Sequence, residues 1–217
     1  HNLLTLEDRA DIGEGWNYIR PQLDSIYTSN GASASIALVC DARYRTQYKV
    51  SFTMALPESI TKCDKQRSDL MVDIKVTHLI TLTKDSRRLD VQTTIDNTAK
   101  DHILKVLFPT GLNTDSYQTD TPYDIIDRTF DWPDTSRHQE ADTHVTPSQG
   151  YMRIEDAEGG LAVFTKGLYE YEAYDVPQRI MALTLMRSFH KEVGTDGGTD
   201  GQLQGKNVFE YALRFTK

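Results

Sequence analysis

Leu70, Val72, Ile74, Val76, Ile80 and Leu82 recur at every second position with mainly polar residues between them, and a segment with that period buries one face as a β-strand. His78 is the one polar member of the series. Leu89, Val91 and Ile95 repeat the alternation, Asp96-Asn97-Thr98 supplies turn chemistry, and residues 103–108 form a denser apolar run that ends at Pro109-Thr110-Gly111. A large antiparallel β layer follows directly.

The same pattern recurs on both sides. Ile36, Leu38 and Cys40 open one strand, and Tyr48, Val50, Phe52, Met54 and Leu56 share a face of the next, with Arg45, Lys49, Ser51 and Thr53 opposite. Asp41-Ala42-Arg43 is short enough for a hairpin, and residues 62–67 read as a polar, exposed link. Further strands are expected at 151–154, 161–164, 167–174, 180–189 and 208–215, with a flexible loop at 194–205. Residues 1–24 lack periodicity and read as a structured loop. Residues 113–149, rich in Thr, Asp and Pro, read as a long insertion loop in which only 123–130 is strand-capable, a candidate lid or interface. The expected architecture is one all-β unit over residues 1–217, a large antiparallel β-sandwich.

Composition narrows the partners. A net charge of −8 argues against nucleic acid, whose phosphates demand clustered Lys and Arg. No apolar run approaches the roughly 20 residues needed to span a bilayer, so no membrane partner is expected. Cys40 and Cys63 are two thiols without a disulfide framework, expected free and buried. No Asn-x-Ser/Thr sequon occurs. The chain begins at His1 without a basic and apolar leader, which reads as a fragment or processed product; the compartment is not legible, and a cytoplasmic setting is favoured.

Asp8, Asp11 and Glu14 stand at spacing three beside Trp16 and Tyr18, a mixture that can hydrogen-bond sugar hydroxyls while a ring covers an apolar sugar face. The plainer reading is a surface loop. His138, Glu140, Asp142 and His144 alternate and invite a metal, although the spacing matches no standard zinc motif and solvated polar residues explain it as well. The Gly- and Asp-rich stretch at 194–201 is one imperfect copy of a calcium-roll unit and reads as a linker. His78 is expected to be a core histidine satisfied by one backbone partner, His102 to belong to the turn after Asn97, and His190 to lack an evident partner. No Ser-His-Asp order, Gly-x-Ser-x-Gly elbow, phosphate loop or dinucleotide fingerprint is present, so catalysis by this chain alone is not expected.

Specific words in the sequence carry a resemblance. Ser86-Arg87-Arg88-Leu89-Asp90-Val91, Ile95-Asp96-Asn97-Thr98-Ala99-Lys100-Asp101-His102 and Leu107-Phe108-Pro109-Thr110-Gly111 are followed in order by Gly160-Leu161-Ala162-Val163, Lys166-Gly167-Leu168-Tyr169-Glu170-Tyr171, Ala182-Leu183-Thr184-Leu185-Met186-Arg187 and Phe209-Glu210-Tyr211-Ala212-Leu213. Together they resemble the C-terminal region of glycoside hydrolase family 38, the α-mannosidases. The resemblance implies a sandwich of the galactose mutarotase type. It also implies an upstream catalytic domain in the same chain as partner, an α-mannoside substrate, and zinc in that upstream domain with no cofactor here. Asp11-Ile12-Gly13-Glu14-Gly15-Trp16-Asn17-Tyr18 looks like the family's loop that reaches the active site, which makes Asp11, Glu14, Trp16 and Tyr18 rim candidates, Tyr18 as hydroxyl donor and Trp16 as stacking wall. Pro21 falls one residue late and Trp16 replaces a more common tyrosine. The alternative is a free-standing carbohydrate-binding or adhesion sandwich using Trp16, Tyr117, Tyr123 and Trp132; a structural interaction module is a third.

Overall fold

The computed structural model describes residues 2–61, 63–132, 134–135, 137, 144–191 and 200–217. Among them are fifteen strands and no helix: β1 (Thr5–Ala10), β2 (Tyr27–Thr28), β3 (Ser35–Ala42), β4 (Arg45–Pro57), β5 (Met71–Thr83), β6 (Leu89–Asn97), β7 (His102–Pro109), β8 (Ser116–Asp120), β9 (Ile125–Thr129), β10 (Val145–Pro147), β11 (Tyr151–Glu155), β12 (Gly160–Lys166), β13 (Glu170–Tyr174), β14 (Ile180–Ser188) and β15 (Gly205–Thr216). They form a six-stranded sheet, β10-β13-β14-β7-β1-β2, and a nine-stranded sheet, β3-β4-β5-β6-β15-β12-β11-β8-β9. Every strand ladder is antiparallel.

The alternation that defines β5 explains the packing. Ile74 and Val76 point between the sheets with Val91 and Ile95 of β6, and they meet Leu6, Leu104, Val106, Phe108 and Leu183 from the opposite layer. Each fully buried aliphatic side chain of this kind contributes about 1.5–3 kcal/mol. Two edge-on aromatic contacts bridge the layers, Phe108 to Tyr211 and Tyr117 to Tyr171, both with centroids 5.9 Å apart. The smaller sheet leaves part of the larger one uncovered, so Ile36, Leu38 and Tyr48 at the β3–β4 end remain exposed.

Several expectations are corrected. The opening is not all loop: β1 runs between β7 and β2 and is buried along its whole length. Its sequence, Thr-Leu-Glu-Asp-Arg-Ala, hid this because charged partners from distant segments replace apolar neighbours. Asp8 sits 2.5 Å from both Arg67 Nη2 and His102 Nδ1, and Arg9 Nε is 2.7 Å from Glu7. Thus Arg67 lies buried inside a link expected to be exposed, and His102 begins β7 instead of lying in a turn. The long insertion holds a hairpin, β8–β9, together with β10. The strand expected at 167–174 begins only at Glu170. The loop expected at 194–205 ends one residue earlier, since Gly205 opens β15; before it, Gln202 donates to Asp101 at 2.6 Å and the Leu203 carbonyl accepts from Asn97 at 2.8 Å, and residues 194–199 lie outside the described residues. His78 bonds the Thr93 hydroxyl at 2.9 Å and, among the described residues, no backbone group, while His190 does have a partner, Asp101 at 3.0 Å. Both cysteines are free, but Cys63 is exposed and Cys40 only half-buried.

Candidate functional site

The segment after β1 folds back as a closed loop over the outer face of the six-stranded sheet. Its neck is tied by the Ile12 amide donating to the Ile19 carbonyl at 2.9 Å, and its tip by the Glu14 amide donating to the Asn17 carbonyl at 3.0 Å. Gly13 is required by close approach: a Cβ there would lie 1.8 Å from the Asn17 carbonyl oxygen.

Asp11 anchors the loop from inside. Fully buried, its Oδ1 accepts from the amides of Gly13 (2.9 Å) and Ile19 (3.4 Å), and its Oδ2 accepts from Arg187 Nε of β14 (2.9 Å). Arg187 also donates to the Glu14 carbonyl at 3.0 Å, so one guanidinium holds both neck and tip. Burial pushes the Asp11 carboxyl up, opposed by Arg187 and the two amides.

The four rim candidates therefore divide by position. Trp16 projects at the tip with 77% of its surface exposed, and Glu14 is half-buried beside it, accepting from Asn17 at 3.1 Å. Tyr18, the expected hydroxyl donor to substrate, is only 3% exposed. Its ring lies among Lys105 Nζ, the Arg20 guanidinium and the Arg187 guanidinium, 5.6 to 5.9 Å from its centroid. Burial pushes its phenol upward, so it stays protonated. Asp11 and Tyr18 form the base of the loop; Glu14 and Trp16 form its outer surface.

Beneath the loop lies a buried ionic floor that sequence reasoning missed. Lys105 of β7 pairs with Glu172 of β13, and Tyr174 donates to Glu7 at 2.7 Å while accepting from Arg9 at 3.2 Å. Burial pulls the Lys105 ammonium down, countered chiefly by Glu172. The available signal was charge placed inside strands, Glu7 and Arg9 in β1 and Lys105 in an otherwise apolar run. Among the described residues no group of three His, Cys, Asp or Glu side chains could hold a metal ion. Three members of the alternating cluster, His138, Glu140 and Asp142, lie outside the described residues.

Comparisons with known proteins place the chain in a family. The family model for the glycosyl hydrolases family 38 C-terminal domain matches residues 4–193. A putative mannosylglycerate hydrolase of Halalkalibacterium halodurans is 28% identical over 224 residues, which cover 95% of this chain and 24% of that protein. The crystal structure of an α-mannosidase from Enterococcus faecalis V583 superposes with a TM-score of 0.89 at 30% identity, over 99% of this chain and 26% of that one. A family 38 glycosyl hydrolase structure from Enterococcus faecalis gives 0.86 at 28% identity, again over 99% and 26%. The chain thus spans about a quarter of the length of the relatives it matches.

Proposed function

Because this chain belongs to the glycosyl hydrolases family 38 C-terminal domain family, we propose that it serves α-mannoside hydrolysis as the supporting β-sandwich of a larger enzyme, with the reacting groups on an upstream domain. The observation that carries this reading is the loop at residues 11–19: two amides and Arg187 fix it from below, while its largest aromatic ring, Trp16, faces outward with most of its surface exposed. A rigid loop presenting an indole and a carboxylate is suited to the rim of a sugar pocket completed by another domain. Glu14 and Trp16 would meet substrate there. Asp11 and Tyr18 would hold them in place.

In the family's retaining chemistry one carboxylate attacks the anomeric carbon and a second serves as acid and then base, while zinc binds the sugar hydroxyls. In the proposed arrangement both carboxylates and the zinc belong to the upstream domain. The test is hydrolysis of an aryl α-mannoside, with added zinc, by the 217-residue chain and by the complete protein that carries it. Turnover confined to the complete protein is the expected result; turnover by the 217 residues alone would overturn the assignment.

A further inference from the structure

Beside the base of the loop, a cleft of about 570 Å³ is lined by Arg9, Arg20, Trp132, His144, Glu172 and Tyr174, among others. Its volume falls within the roughly 300–1,000 Å³ typical of small-ligand sites. We propose that this cleft binds a neutral pyranoside, stacked against Trp132 and hydrogen-bonded between Glu172 and Arg20.

Three observations carry the assignment. Glu172 gives Oε2 to Lys105, and its Oε1 stands 3.8 Å from Arg20 Nη2, beyond hydrogen-bond length. One hydroxyl can close that gap by donating to the carboxylate and accepting from the guanidinium, a dual role that hydroxyls fill and that bare anions and cations do not. Arg20 keeps 44% of its side chain exposed, so it can adjust to a ligand. The opposite wall is aromatic, with the Trp132 and His144 rings 4.9 Å apart, and it offers an apolar face for the C–H surface of a sugar ring.

Charge selects a neutral ligand. Arg9 already faces Glu7, Lys105 faces Glu172, and Arg179, stacked on the cleft-lining Phe130, faces Asp115 and Asp175. An anion drawn to Arg20 would stand against the Glu172 carboxylate, whose Oε1 is 3.8 Å from that guanidinium. Of the four aromatics that a free-standing carbohydrate module would use, Tyr117 is buried, Tyr123 is wholly exposed and Trp16 is at the loop tip, whereas Trp132 lines this cleft. The inference rests on the cleft's own residues and stands apart from the hydrolase reading.

The test uses the two tryptophans. In Trp16→Phe, Trp132 is the only indole, and its emission is followed during titration with methyl α-D-mannopyranoside and, separately, with glucuronate. A saturable change with a dissociation constant of about 1–10 mM is expected, weakened at least tenfold by Arg20→Ala, with glucuronate binding no more tightly. In the unsubstituted chain the Trp132 indole ¹⁵N–¹H signal should shift with the same midpoint, which covers the case in which Trp16→Phe folds poorly. Absence of saturation up to about 100 mM, undiminished binding in Arg20→Ala, or tighter binding of glucuronate would each overturn the proposal. Failure here leaves the loop's part in hydrolysis intact, because that part is read by turnover of the complete protein.

Discussion

Arg187 and Asp11, 176 positions apart, are joined by a 2.9 Å hydrogen bond between Nε and a carboxylate with no solvent exposure. Removing the guanidinium strands a buried charge, a defect that typically costs about 3–5 kcal/mol. Arg187→Ala should lower stability by that order in urea unfolding, whereas Arg187→Met combined with Asp11→Asn should recover much of the loss.

Gly13 is the tightest point of the same loop. A methyl group would collide with backbone at Asn17 and approach Asp11 Oδ1 at 2.9 Å, and neither of these yields easily. Gly13→Ala should cost about 1–3 kcal/mol and expose residues 13–17 to limited proteolysis.

Trp16 and Tyr18 should behave oppositely. Trp16→Ala removes an exposed ring, so the stability of this chain should stay within about 0.5 kcal/mol, while kcat/KM of the complete protein on an aryl α-mannoside falls roughly tenfold. Tyr18→Ala should instead destabilise by about 3–5 kcal/mol through lost packing. Unchanged hydrolysis in the Trp16→Ala, Tyr18→Phe double variant would remove the loop from the rim.

His78 makes stability depend on acid. Burial holds its imidazole down to about 4, against an ordinary value of 6.5. Between those values the unfolded chain binds the additional proton, so stability is full above about 6.5 and falls as pH drops toward 4, by about 3 kcal/mol for this one group. His78→Leu should flatten that window. Urea midpoints at pH 4.5 and 7.5 decide it.

Legibility in the sequence followed chemistry. β4 through β7 were readable because each buries one apolar face or lies wholly within the core, and the ordered words from Ser86 to Leu213 placed the family. β1 was not readable: Glu7, Asp8 and Arg9 are satisfied by Tyr174, Arg67 and His102, and no local pattern announces partners so distant in sequence. β8 was masked by Thr and Asp on a strand half open to solvent, whereas its partner β9 falls inside the stretch read as strand-capable. For the loop at residues 11–19, only the fold separates Asp11 and Tyr18 beneath from Glu14 and Trp16 above. The Trp132 cleft joins residues of β1, β13 and the segment after β9, and no spacing rule connects them.

The strand latest in sequence, β15, is the central strand of the nine, with β6 on one side and β12 on the other. Until residues 205–216 arrive, that sheet consists of two four-stranded pieces, each with an unpaired edge facing the other. A chain emerging from the ribosome N-terminus first cannot join them as it is made. Closure of the larger layer therefore waits until residues 205–216 have been made, and any truncation that removes this strand leaves two sticky half-sheets in place of a slightly shorter domain.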